Sequence, residues 1–193
     1  MPGMTQPAPL TDLQFQALLP HILPRSPAGR QIGDLRGRID AIFHVASGTG
    51  PWAALPARFG RPDTVSRYFR RLTQGGLWPR LLEIIKDCSP DHPLREIAPL
   101  IFRACRRAAR ILGLGFIALV RRLRLIQALP GPPAKVADPD LSETMRRRIR
   151  LPPPPRAVAL IAPYVALLRD LRRLHRRAGG VACLPRALRL GWS

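Results

Sequence analysis

Lysine is almost missing from this chain: of its 32 basic residues only Lys86 and Lys135 are lysine, and the other 30 are arginine. Acids are scarce too, 12 in 193 residues, which leaves a formal net charge of +20. An acidic solvating protein is excluded, and polyanionic partners are implied, either nucleic acid or an anionic membrane surface. Arg, Pro, Ala, Leu and Gly share GC-rich codons and Lys does not, so part of the bias also fits genomic composition. Cysteine is limited to Cys88, Cys105 and Cys183, an odd number at wide spacing with no CxxC. That excludes a disulfide framework, a zinc site and a redox pair, and reads as free thiols in a reducing compartment. Long apolar runs are absent. The best, Ile111–Val120 between Arg110 and Arg121, is about half of the roughly 20 residues a spanning helix needs, so no transmembrane segment is expected. The opening MPGMTQPAPLTD has neither a basic n-region nor an apolar h-region, so no secretory leader is expected and a cytoplasmic location follows.

What is present divides by composition near residue 86. Residues 1–85 carry ten arginines and five acids; residues 86–193 carry 22 basic residues and seven acids. In the first part the spacing predicts five short helices. Thr11 or Asp12 caps the first, which Pro20 interrupts; Asp34 starts the second, with Ile39, Ile42, Phe43 and Ala46 at helical spacing. Pro51 opens a short helix through Trp52, Leu55 and Phe59. After Gly60, Asp63 or Thr64 caps a helix whose Val65, Tyr68, Phe69 and Leu72 form one apolar stripe. Gly75-Gly76 stops it, and Leu77, Trp78, Leu81, Leu82 and Ile85 supply the fifth. The predicted core is Leu18, Ile42, Trp52, Leu55, Phe59, Val65, Phe69, Leu72, Trp78 and Leu81.

A short helix, a glycine turn and a longer helix make a helix-turn-helix-like pattern. In such motifs the second helix offers its N-terminal and outward side chains to the major groove. Here those are Thr64, Ser66, Arg67, Arg70 and Arg71. Arginine can chelate guanine or grip phosphate, and Ser and Thr can donate or accept. The same residues also fit a solvated basic face on a packing helix. Arg61, Arg30 and Arg36 are further candidate phosphate contacts.

The ordered motifs resemble a known family. Leu10-Thr11-Asp12-Leu13-Gln14-Phe15, Leu18-Leu19-Pro20, Gly29-Arg30, Asp34 with Arg36, and Ala41-Ile42-Phe43 occur in that order. Then come Thr49-Gly50-Pro51-Trp52, Leu55-Pro56, Phe59-Gly60, Thr64-Val65, Phe69, Arg71 and Gly76-Leu77-Trp78. Together residues 10–82 resemble the N-terminal helical domain of bacterial insertion-sequence transposases of the DDE type. The family's residue between the glycine and the proline before the tryptophan is absent here. Arg61-Pro62-Asp63 and Leu72 stand where aromatics are common. The resemblance implies a domain that binds the terminal inverted repeats of a mobile element and positions a catalytic domain.

That catalytic domain would need three carboxylates holding divalent metals. After residue 86 the acids are Asp87, Asp91, Glu96, Asp138, Asp140, Glu143 and Asp170. None follows a strand-like run. No catalytic residue, metal ligand, cofactor or small-molecule substrate is therefore assigned. His44 reads as a core-edge histidine and Cys105 as a plain helical cysteine. Residues 94–128 read as one or two helices broken near Gly113, and Asp140 with Glu143 as a capping box. The run LPPPP is rigid and extended, and residues 157–177 form an amphipathic, arginine-rich helix.

The expected fold is all-α: a flexible N-terminus (1–9), a transposase-like domain with a helix-turn-helix-like element (10–86), and a loosely packed helical extension (87–193) with Pro-rich linkers at 130–140 and 151–155. The expected function is DNA binding by a truncated or domesticated transposase associated with the nucleoid. Alternatives are a modulator of an intact transposase and a basic amphipathic protein at a membrane surface. The extension itself reads as a basic arm, a lipid-facing surface or a frameshift remnant, the last implying little order beyond isolated helices.

Overall fold

In the computed structural model, residues 8–23 and 33–180 are described. Residues 1–7 of the expected flexible N-terminus, and with them Gly29, Arg30 and Cys183, lie outside the described residues. The chain is all-α, with no strand among the described residues. Its helices are α1 (Asp12–Ile22), α2 (Leu35–Ser47), α3 (Pro62–Gln74), α4 (Leu77–Asp87), a single turn α5 (Pro93–Glu96), α6 (Ala98–Leu112), α7 (Leu114–Arg122), α8 (Pro139–Arg148) and α9 (Ile161–Gly179).

Local chemistry explains most of the boundaries. Thr11 and Gln14 form a reciprocal capping box on α1. Pro20 does not interrupt α1 as expected. It sits in the last turn, where its missing N–H costs one bond, and the burial of Leu18 and Ile22 on either side holds the turn. The Asp34 carboxylate caps α2 through Gly37 N at 2.7 Å. The segment expected as one short helix after Pro51 is two 3₁₀ turns instead, Trp52–Ala54 and Ala57–Phe59. Pro56 divides them, because the residue before a proline is pushed out of the helical region and Leu55 is extended. Helix α3 begins at Pro62, ahead of the expected Asp63 or Thr64 cap. A proline suits the first helical position, and no side chain caps the end. Gly76, at φ +73°, makes the reversal into α4. Thr73 locks that reversal. Its buried hydroxyl donates to the Phe69 carbonyl and accepts from Trp78 Nε1, both at 2.8 Å.

The change of composition at residue 86 is not a packing boundary. Helix α6 lies against α2, α3, α4 and α7. Its Ile101, Cys105 and Ala108 share one buried cluster with Leu18, Ile42, Val65, Phe69, Trp78 and Leu81. Small residues on α6, Ala104, Cys105, Ala108 and Ala109, let its backbone approach its neighbours closely. Seven of the ten expected core residues are buried. The other three, Trp52, Phe59 and Leu72, are half-buried against the cluster. The break between α6 and α7 falls at Gly113, φ +76°.

The expected polyproline linker at 130–140 is also a packed element. Leu129, Val136 and Ala137 are buried around a 3₁₀ turn, Pro133–Lys135. Arg121 fastens this strap, donating to the carbonyls of Ala137 (3.0 Å), Pro133 and Val136 (both 2.8 Å) and pairing with Asp138 at 3.2 Å. The expected Asp140–Glu143 capping box does not form. Asp138 caps α8 through Leu141 N. The Asp140 carboxylate receives a fork of bonds from Arg122 (2.8 and 2.6 Å), and Glu143 accepts from Arg147 at 2.7 Å. Residues 151–155 carry no regular structure, in keeping with the extended reading. Helix α9 packs loosely, with Ala178 its one buried residue. The Ala178 carbonyl accepts from Asp138 N at 2.8 Å, which ties the end of α9 to the strap.

Candidate nucleic-acid interface

Period 3.6 divides α3 into two faces. Val65, Tyr68, Phe69 and Thr73 are buried. Arg67, Arg70, Arg71 and Gln74 are exposed on the other side, as are Thr64 and the capping residue Arg61. Ser66 is half-buried at the edge, and its hydroxyl donates to the Asp63 carbonyl at 3.1 Å. Asp63 is exposed one turn before Arg67 on the same side, so a carboxylate acceptor joins the cationic row. The helical period that selected the arginines selects Asp63 equally. It was missed because a cap was expected there.

Acidic side chains hold Arg36, Arg121, Arg122, Arg146, Arg147 and Arg173 in ion pairs. Arg61, Arg67, Arg70 and Arg71 have no acidic partner among the described residues. Arg71 instead lies over the Tyr68 ring, 5.0 Å from its centre.

Arg36 is not grouped with these residues by its contacts. Its guanidinium bonds the Asp12 carboxylate and the Leu10 carbonyl and lies over Phe15. It fastens the segment before α1 to α2, assisted by the Asp40 carboxylate, which accepts from Leu10 N at 3.1 Å. Arg30 lies outside the described residues.

The platform beneath α3 is aromatic. The Phe69 ring is 5.1 Å from Trp52 and 5.5 Å from Trp78, centre to centre. Arg107 of α6 also lies over Trp52, 5.7 Å from the ring centre. One nitrogen of Arg107 reaches three carbonyl oxygens at the end of α2 and in the turn after it: Val45 (2.8 Å), Gly48 (2.9 Å) and Gly50 (2.7 Å). Sequence reasoning missed this residue. It is separated from its partners by about sixty positions and is one arginine among 30.

The residues weighed for catalysis have structural surroundings. His44 is half-buried with its ring 5.1 Å from Phe59. Cys105 is fully buried, and burial pushes its thiol far above the ordinary range. Among the described residues no three His, Cys, Asp or Glu side chains converge as a metal site would require. No helix among the described residues is long and apolar enough to cross a membrane.

Comparison with known proteins bears on the face just described. Residues 10–82, under half of the chain, match the family model described as "Putative transposase of IS4/5 family". Over this stretch the chain is similar to that transposase family. No curated protein and no solved structure matches the chain. The transposase match covers α1 to the middle of α4, including all of α3. The packed unit is larger, because α6, α7 and the strap complete the core beneath the transposase segment.

Proposed function

We propose that this chain binds DNA through the outward face of α3, as a truncated or domesticated insertion-sequence transposase. The observation that carries the reading is the row of arginines on α3 with no acidic partner among the described residues, displayed by a transposase-family segment. Arg67 and Arg70 occupy the centre of the face and would carry groove contacts. Arg61 and Arg71 would hold phosphates, and Thr64 and Asp63 are the flanking polar groups. The terminal inverted repeats of its own element are the proposed target and the nucleoid the proposed location.

The chain is also proposed to lack transposition chemistry of its own. Five of the seven acids after residue 86 are engaged elsewhere. Glu96 accepts from Gln14, Asp138 caps α8, and Asp140, Glu143 and Asp170 pair with arginines. A protein of this kind could act by occupying element ends or by modulating an intact transposase.

The test is binding of the whole chain to inverted-repeat and scrambled duplexes across salt. The reading expects a preference for the repeat that survives rising salt. Arg67→Ala is expected to cost about 1–3 kcal/mol on the repeat and to relax the preference. Equal binding to both duplexes, falling steeply with salt, would reduce the interaction to charge alone.

A second reading draws on α9. Val158, Leu160, Ile161 and Val165 are exposed, as are Arg169, Arg172 and Arg176 further along the same segment, a composition found on helices that lie on anionic lipid. Vesicle binding that depends on residues 157–177 would favour it.

A further inference from the structure

Tyr68 sits at the border between the buried and outward sides of α3 and lines a cleft of about 520 Å³. His21 and Leu23 close the cleft from the end of α1, Arg71 from α3, and Leu77 and Arg80 from α4. None of its described lining residues is acidic. Tyr68 is 4% exposed, and its buried hydroxyl has no acceptor for its proton among the described residues: the one side chain within reach of it, Arg71, can only donate to the phenolic oxygen. The charged groups over its ring are Arg71, at 5.0 Å, and Arg38, at 5.8 Å. A guanidinium carries donors only, so neither can accept the phenolic proton. A buried O–H without an acceptor is costly, and native exceptions call for a missing partner.

The rest of the cleft has the same polarity. Arg80 donates to the Gly75 carbonyl at 2.7 Å, covering the carbonyl end of α3, and its other N–H groups have no partner among the described residues. His21 is held below its ordinary pKa first by burial, and then by the nearby Arg80 and His92. Donors surround a space with no anionic acceptor among the described residues. We infer that this cleft is a phosphate site in which Tyr68, Arg71 and Arg80 donate to the oxygens of one phosphate group. Arg71 belongs to both the cleft and the arginine row, so the source is a backbone phosphate of DNA lying on α3. That assignment of the source rests on the DNA-binding reading.

Three measurements on the whole chain test it. Duplex binding is compared for the wild type, Tyr68→Phe and an Arg67→Ala/Arg70→Ala double variant, thermal unfolding is followed for each, and inorganic phosphate is titrated while the His21 imidazole is observed by NMR. Tyr68→Phe removes a hydroxyl whose proton has no acceptor, so its Tm should change little. Its duplex affinity should nevertheless fall about tenfold, the effect of one charge-assisted hydrogen bond. Phosphate should move His21 toward its charged form in the wild type and in the double variant, and less in Tyr68→Phe. If Tyr68→Phe binds duplex like the wild type and His21 ignores phosphate, the site is overturned, while the double variant still reports separately on α3. If no protein binds duplex but His21 responds to phosphate through Tyr68, the site stands for free phosphate and DNA as its source is overturned.

Discussion

Replacing Arg107 by alanine should loosen the whole platform under α3, although residue 107 lies outside the family segment. The terminal nitrogen that meets Val45, Gly48 and Gly50 carries two hydrogens, so two of the three bonds exist at full strength at any moment. Hydrogen bonds from a charged donor contribute about 1.5 kcal/mol each at the low end, and the contact with Trp52 adds about 0.5 kcal/mol. Water offsets part of the loss, because Gly50 is exposed and its carbonyl can be resolvated. The net cost is therefore about 2–3 kcal/mol, or roughly 4–12 °C in Tm for a chain of this size. Thermal and urea unfolding followed by far-ultraviolet circular dichroism would measure it. Arg103→Ala, an exposed arginine on the same helix, serves as the control. Arg107→Lys should fall between, since an ammonium cannot spread over three carbonyls and stack on Trp52 together. If Arg107→Ala unfolds within about 0.5 kcal/mol of the Arg103→Ala control, the clamp contributes nothing and the integration of α6 into the transposase segment has been misjudged.

Thr73→Val keeps the shape of the α3–α4 reversal but leaves Trp78 Nε1 buried without an acceptor. A loss of about 1–3 kcal/mol is expected in equilibrium unfolding, with Thr73→Ser costing less. Gly180→Ala would place a Cβ 2.7 Å from the Ala137 backbone nitrogen at a φ of +71°. Hydrogen exchange should then show the end of α9 released from the strap while amides of α6 stay protected. His21 has a folded pKa below its ordinary 6.5. On acidification the unfolded chain therefore takes up its proton first, so stability is complete above about pH 6.5 and declines as pH falls toward the folded value. Urea midpoints at a series of pH values should show this decline, and His21→Gln should flatten it.

Much of the transposase segment is legible in its residues, because its signals are local. Thr11 and Gln14, Asp34, the Val65–Phe69 stripe and the Gly75-Gly76 stop each act within a few positions, and each works as its chemistry suggests. Pro51 and Pro56 are harder, since one proline starts a turn and the next breaks it before a full helix forms. The second half is misread for a different reason. Arginine, proline and leucine look like a remnant by composition, yet Leu129, Val136 and Ala137 join the shared buried cluster, and Arg121 of α7 fastens the last two, through contacts that no periodicity reports. Arg107 and Arg121 are invisible for the same reason, because what distinguishes them from the other arginines is which carbonyls lie within reach. On the candidate face the reverse holds. The outward positions of α3 follow from period alone, while the cleft at its end depends on α1 and α4 meeting Tyr68 and could not be read in advance.

A protein with so few acids has to find other counterparts for its guanidinium groups, and here the peptide carbonyl serves. Arg107 and Arg121 each bind three carbonyls, and Arg36, Arg80, Arg95 and Arg106 bind one apiece. A carbonyl oxygen does not titrate in the range where carboxylates do, and its partner guanidinium keeps its charge throughout. Clasps of this kind persist through acidification that would dissolve carboxylate bridges. Where no carboxylate also pairs with the arginine, as at Arg80, Arg95, Arg106 and Arg107 among the described residues, its full positive charge is left uncancelled, so the protein stays cationic even where these arginines are structurally occupied. The interior braces and the attraction to polyanions thus draw on the same side chains without competing for them.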